Sequence, residues 1–330
     1  MKNKLLLVAL IGLLTSCGSI PEQSSLQNNP TSDQNSNVQQ TTEQPTSEED
    51  SNDVDVIVLA GQSNAEGNTF WNPLDADRKV IYASGFDKTL ISYEMMGYST
   101  KNNNITVDGQ KTNRFEKVTL GQAYDSTRFG PEVGMAEKFQ ETDREKPVYI
   151  VKFCSGGTSL FTDWRSPTTM TATGSRWNKF IPFVDGALET LMDQGYNPVI
   201  KALCWMQGES DSNKSSFYEL YENNFINDFN DYFVDFGDPE EGIKFIDAGI
   251  SDGRNPEDTA YVWDYTRINQ AKINNQARDP DNRFYIDTIA AGLKTDPHNQ
   301  RGGDLYHYDA ESMVKLGYLF ADVLLNNNII

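Results

Sequence analysis

Residues 57–67 read IVLAGQSNAEG. An apolar run stops at Gly61, and Gln62, Ser63 and Asn64 follow at once, with Gly67 closing the stretch. Gly, Ser and Asn all suit turns, so a plain turn is one reading. The other is a nucleophile presented at the end of a buried strand. The run that carries it, DVIVLAG (residues 55–61), has four counterparts: PVYIVKFC (147–154), VIKALCWM (199–206), KFIDAGI (244–250) and RFYIDTIA (283–290). All are short and nearly continuous in apolar residues, as strands buried on both faces are.

Helical spacing fills the intervals. PEVGMAEKF (131–139) opens on Pro131, which suits a first helical turn. Residues 177–195 place Phe180, Ile181, Val184, Leu188, Leu191 and Met192 on one stripe and end at Gly195. Residues 216–236, 258–277 and 309–326 show the same periodicity, the last through Met313, Leu316, Phe320, Val323 and Leu324. Strand and helix in alternation predict a single three-layer α/β/α domain with a five-stranded parallel sheet. Residues 67–129 are less regular. KVIYAS (79–84) reads as a weak strand and STKNNNITVDGQKTN (99–113) as a polar stretch, so this part is expected to be an inserted excursion over one edge of the active face.

The folded part begins near residue 54. MKNKLLLVALIGLLTSC (1–17) has Lys2 and Lys4 ahead of an apolar segment too short to span a bilayer, for which roughly 20 residues are needed. Its Leu14-Thr15-Ser16-Cys17 ending resembles the bacterial lipobox, which implies lipidation of Cys17 and a membrane anchor; an ordinary secretory signal is the alternative. Residues 18–53 are Ser, Gln, Asn, Thr, Pro and acidic residues with no Lys or Arg, a composition that cannot offset its ordering entropy and so predicts a flexible acidic tether. The protein is thus expected to be an exported lipoprotein held at a bacterial cell surface or facing the periplasm. A net charge of −20 argues against nucleic acid or anionic lipid as partner. Beyond Cys17 only Cys154 and Cys204 remain, each ending an apolar run, and two buried free thiols are expected. No Cys/His spacing suggests a metal site, and no cofactor is expected.

Ligands of open parallel sheets bind at the carboxyl ends of the strands. Three of the runs end there in polar loops: Gln62-Ser63-Asn64, CSGGTSL (154–160) and WMQGESD (205–211). One such loop is an ordinary turn; three that converge in a doubly wound sheet suggest a site. A serine nucleophile needs a base within hydrogen-bond reach and a group that orients the base. The chain has two histidines. His307 follows Asp304 by three residues, just ahead of the last helix, whereas His298 sits in TDPHNQ and reads as a solvated surface residue. His307 is therefore the expected base.

Together GQSN, GGTSL, WMQGESD and DLYH resemble the four blocks of the SGNH-hydrolase superfamily, and more narrowly its sialate O-acetylesterase and acetyl xylan esterase branch, carbohydrate esterase family 6. That branch reads GQSN where other members read GDS, and its Trp-x-Gln-Gly-Glu-x-Asp block is intact here as Trp205, Gln207, Gly208, Glu209 and Asp211. RFGPE (128–132) is similar to a further family element, and the likeness spans residues 54–325. It implies that Ser63 attacks an ester carbonyl while His307 takes its proton. It further implies an oxyanion hole from the Ser63 amide, an amide at Gly156 or Gly157, and the Gln207 side chain. The orienting acid is Asp304, the superfamily's usual choice, or Glu209, with Asp304 preferred. Arg128 and the loop residues Trp71, Trp164 and Trp177 are candidates to meet the sugar. The implied activity is removal of acetyl groups from acetylated xylan-type glycans or sialic acid; a non-catalytic solute- or glycan-binding surface lipoprotein is the alternative. No G-x-S-x-G elbow of an α/β-hydrolase is present.

Overall fold

A computed structural model describes residues 52–166, 174–217, 219–223, 242–253, 264–295 and 305–330. The chain enters with β1 (Asp53–Gly61) and a one-turn helix α1 (Ser63–Glu66), then β2 (Thr69–Phe70) and α2 (Ala76–Ser84). Next come β3 (Phe86–Met95), β4 (Ile105–Val107), β5 (Gln110–Thr112), β6 (Glu116–Val118) and β7 (Arg128–Phe129). Helix α3 (Glu132–Gln140), β8 (Val148–Cys154), α4 (Trp177–Asp193), β9 (Asn197–Met206) and the short α5 (Glu209–Ser212) follow. The chain closes with β10 (Lys244–Ala248), α6 (Tyr265–Arg278), β11 (Arg283–Ile286) and α7 (Ala310–Asn326).

Among these residues a seven-stranded sheet forms in the order β11-β10-β9-β1-β8-β3-β6. Six of its strands run parallel and only β6 is antiparallel. All five expected strands are present, and β3 is a sixth that the sequence hid. Its residues FDKTLISYEM mix Asp87, Lys88, Thr89, Ser92 and Glu94 with apolar positions, because only the short β6 lies beyond it. KVIYAS is helical rather than extended. The Asp75 side chain caps α2 by accepting from the Arg78 amide (2.8 Å), and Val80 and Ile81 are exposed while Tyr82 faces the core. The β-branched pair imitated a strand but lies on the solvent side of a helix. Residues 67–129 are thus partly sheet, not wholly an excursion. Helix 216–236 is described only to residue 223, and the start of 258–277 lies outside the described residues.

Successive side chains of a strand point to opposite faces, and β8 shows which helices cover which face. Phe153 packs on Trp164 and on Phe180 and Phe183 of α4. Its neighbour Lys152 points the other way and pairs with Glu132 of α3 at 2.7 Å. Helices α3 and α4 therefore cover opposite faces, the three-layer arrangement expected. Helix α7 lies against α3. A Cβ on Gly134 would stand 2.2 Å from the Val314 carbonyl oxygen, and one on Gly317 would stand 2.2 Å from that of Pro131. Two backbones this close tolerate no side chain between them. Gly317→Val is expected to destabilise the fold by about 3 kcal/mol through overpacking, read as a lower midpoint in urea denaturation at unchanged slope.

Candidate active site

The site begins with a register. Gly61 of β1 pairs level with Met206 of β9 on one side and Cys154 of β8 on the other. Three adjacent strands thus stop together, and the loops beginning at Gln62, Ser155 and Gln207 emerge side by side. The Gln62 amide donates to the Met206 carbonyl (3.0 Å), and the Ser155 amide donates to the Gly61 carbonyl (3.0 Å). Gly61 has φ +143°, and a Cβ there would fall 2.0 Å from the Met206 oxygen, so only glycine lets the chain pivot against β9. The pivot places Ser63 at the start of α1, closed by Glu66 N–H to Gln62 O (2.8 Å) and Gly67 N–H to Ser63 O (2.9 Å).

Ser63 and His307 line one cleft of about 270 Å³, together with Gly156, Gly157, Glu66 and Glu209. Gly156 flanks the serine closely: a Cβ on it would stand 3.7 Å from the Ser63 Cβ. His307 comes from the far end of the chain and is held on both sides. The Asn64 side-chain amide donates to the Tyr306 carbonyl (2.8 Å), and its oxygen accepts from the Tyr308 amide (3.3 Å). The Tyr308 ring is fully buried, and its carbonyl accepts from the Thr69 hydroxyl (2.7 Å). The residue after the serine therefore grips both neighbours of the histidine.

Asn64 also donates to Glu209 Oε1 (2.7 Å), while Glu209 Oε2 has no hydrogen-bond partner. Burial pushes the Glu209 carboxyl above its usual range, against the pull of Asn64, Lys272 and His307. Glu209 thus shares a wall and a tether with His307. Asp304 and His298 lie outside the described residues.

Gln207 does not line the cleft. Its side-chain nitrogen donates to Asp211 Oδ2 (2.6 Å), to the Thr158 carbonyl (3.0 Å) and to Gln62 Oε1 (3.2 Å), and its oxygen accepts from the Tyr221 hydroxyl (3.1 Å). An amide with two protons already shared among three acceptors has none to offer an oxyanion. Asp211 is likewise structural: it accepts from the Leu160 and Phe161 amides (2.8 and 3.0 Å) and so ties the loop after β8 to the loop after β9. Three of the sugar-contact expectations change as well. Trp164 and Trp177 are core residues, the first stacked edge-on against Phe153, Phe180 and Trp205, the second against Phe180. Arg128 is buried under the Phe70 and Tyr124 rings and paired with Asp125 (2.7 Å), outside the cleft lining. Trp71 is half-buried, with its indole N–H donating to the Ser126 carbonyl (3.0 Å).

The aromatic rings at the cleft belong to tyrosines instead: Tyr98, Tyr124 and Tyr306. Tyr98 is 83 % exposed and stands against Gly157, where a Cβ would meet its ring at 3.3 Å. The sequence reading also passed over Glu66. Its signal was present, a charged residue three positions after Ser63 and so on the same face of a helical turn. Glu66 is fully buried, and neither carboxylate oxygen has a hydrogen-bond partner. Burial raises it from 4.5 to about 7, against the opposing pull of Lys152, His307, Arg128 and the nearby Gly156 amide.

A doubly wound parallel sheet whose central strand ends in a serine-bearing turn is the architecture of an SGNH-type hydrolase. The chain belongs to the carbohydrate esterases of the sialic acid-specific acetylesterase family, whose model matches residues 53–326. No curated protein sequence matches it. Among solved structures, a protein from Arabidopsis thaliana aligns with TM-score 0.58 at 18 % identity, over 83 % of this chain and 98 % of the other. NanS aligns with TM-score 0.55 at 12 % identity, over 84 % and 98 %. A carbohydrate acetylesterase from Xanthomonas citri aligns with TM-score 0.55 at 14 % identity, over 82 % and 55 %. At such identities these likenesses show the fold.

Two predictions follow from the geometry. Asn64→Ala releases both neighbours of His307 and is expected to lower kcat on the order of 10²-fold, the cost that small misplacements within an active site carry. A folded, inactive variant in near-UV circular dichroism separates this from unfolding. Glu66 carries a proton in the folded state that the unfolded chain releases at lower pH. Its contribution to stability is fully present below about 4.5 and is lost as pH rises through about 7. Glu66→Gln should therefore melt higher than the parent at alkaline pH and show no such gain in acid.

Proposed function

We propose that the protein removes acetyl groups from acetylated sugars through an acyl-enzyme on Ser63. His307 takes the Ser63 proton as the hydroxyl attacks the acetyl carbonyl, then returns it to the departing sugar oxygen. A water molecule that gives its proton to His307 then attacks the acyl-enzyme, releasing acetate and restoring Ser63. The Ser63 and Gly156 amides supply the donors for the tetrahedral oxyanion, each such donor being worth about 3 kcal/mol. Glu209 orients the imidazole in this scheme, because it lines the same cleft and is bonded to the residue that holds the histidine segment. The observation that carries the reading is the meeting of Ser63 and His307 in one cleft from positions far apart in the chain.

The cleft supports a neutral sugar better than sialic acid. Among its described lining residues there are Glu66 and Glu209 but no Lys or Arg to meet a sugar carboxylate. Tyr98, Tyr124 and Tyr306 offer rings for the apolar faces of a pyranose, as aromatic side chains with a polar tip do. An acetylated xylan-type glycan fits this lining. Cys17 would carry the lipid that tethers the enzyme to a membrane, with residues 18–53 as the leash.

Acetate release by the purified protein from a panel of acetylated glycans tests the proposal. Ser63→Ala should lower the rate by at least roughly 10³-fold, and equal rates for variant and parent would overturn the mechanism. Glu209→Gln should lower kcat on the order of 10²-fold or more with little change in KM. A larger loss in Asp304→Asn would move the orienting role to Asp304.

A further inference from the structure

Glu66 has no role in the mechanism above, yet it is the most anomalous group in the cleft. It lies one helical turn beyond Ser63 and lines the cleft beside it. Both its oxygens are buried without a hydrogen-bond partner, a state that costs free energy unless a ligand completes it. The carboxyl also lies against the backbone of Gly156: a Cβ on that glycine would stand 2.8 Å from Glu66 Oε2 and 3.7 Å from the Ser63 Cβ. A side chain at Gly156 would thus run into this carboxyl beside the serine, and Glu66 would have to shift to admit it.

We infer that Glu66, as the uncharged acid, is a third donor to the oxyanion, its O–H aimed at the acetyl oxygen held by the Ser63 and Gly156 amides. The inference rests on the Ser63 mechanism proposed above. No bond to Glu66 forms or breaks in the step. Its proton stays on the carboxyl while the electron pair of the acetyl C=O moves onto oxygen and returns when the sugar leaves. Ionised, the same group would repel the developing charge and would compete for the Gly156 amide. Its protonation state therefore governs catalysis.

The surroundings favour the acid. Burial is the dominant influence and holds the proton on, up to about pH 7. The positive groups that oppose it are already engaged elsewhere: Lys152 of β8 pairs with Glu132 of α3 and donates to the Gln122 carbonyl, and Arg128 of β7 pairs with Asp125. His307, whose charged form also opposes the proton, and Glu209 line the same cleft.

The test compares parent, Glu66→Gln, Glu66→Ala and Ser63→Ala by acetate release from an acetylated xylo-oligosaccharide across about pH 5.5 to 9. The parent should lose kcat on the order of 10²-fold by the alkaline end of this range, as Glu66 ionises, with KM nearly constant. Glu66→Gln keeps a neutral donor, so its alkaline fall should vanish. Glu66→Ala should be low at every pH, on the order of 10²-fold below the parent in acid. An alkaline fall that persists unchanged in Glu66→Gln, or a Glu66→Ala variant as active as the parent, would overturn the inference. Full activity in Ser63→Ala would instead defeat the acyl-enzyme reading itself. Melting curves of all four proteins keep a folding defect from being read as lost chemistry.

Discussion

Everything at the cleft depends on three neighbouring strands ending at one level. Because Gly61, Cys154 and Met206 stand side by side, the polar residues that follow each strand meet without any long excursion of the chain. The level ending is possible only where β1 can press its backbone against the Met206 carbonyl, which is why glycine stands at the pivot. Asn64 then extends the same order to the other end of the sequence. By holding the carbonyl before His307 and the amide after it, it converts a loop that enters α7 into a fixed wall of the cleft.

The molecule buries several charges near this rim, and they divide by whether they are answered. Lys152 with Glu132, and Lys272 with Asp247 (2.5 Å), are pairs whose members are buried together and hydrogen-bonded further, Lys152 to the Gln122 carbonyl and Lys272 to that of Ala248. Such pairs fix packing and contribute modest net stability. Asp211 is answered by two amides and Gln207. Glu66 is unanswered, and Glu209 is answered on one oxygen only. Asp247 also leaves one oxygen unpartnered, but among the described carboxyls Glu66 is the one with neither oxygen met, and Glu66 and Glu209 both line the cleft. A polar group left without a protein partner at the place where substrate enters is the pattern of a site built around a ligand rather than around itself.

Much of this was legible in the residues. Strands buried on both faces announce themselves as continuous apolar runs, so all five expected strands were found, and the three polar loops beyond them marked the rim. What stayed hidden had physical causes. β3 lies beside a short edge strand, which lets polar residues interrupt its pattern. α2 exposes Val80 and Ile81, residue types normally found in strands. Side-chain roles were the hardest, because a motif states which residues are present and not which of their hydrogen bonds are already taken. Gln207 and Asp211 sit in the same family block as Glu209, yet the first two spend their polar atoms on the loops and only the third turns toward the cleft. Trp164 and Trp177, read as possible platforms, fill the core under α4, while tyrosines scattered through three unrelated segments surround the opening.

The ends of the sheet carry a last consequence. Its outermost described strands are brief, three residues in β6, where Glu116 and Lys117 bring opposite charges, and four in β11. So small a margin gives an incoming chain few free amides and carbonyls with which to zip up a continuous ribbon between molecules. A broad, apolar, mostly parallel sheet can in this way be kept at high local density without growing into fibrils.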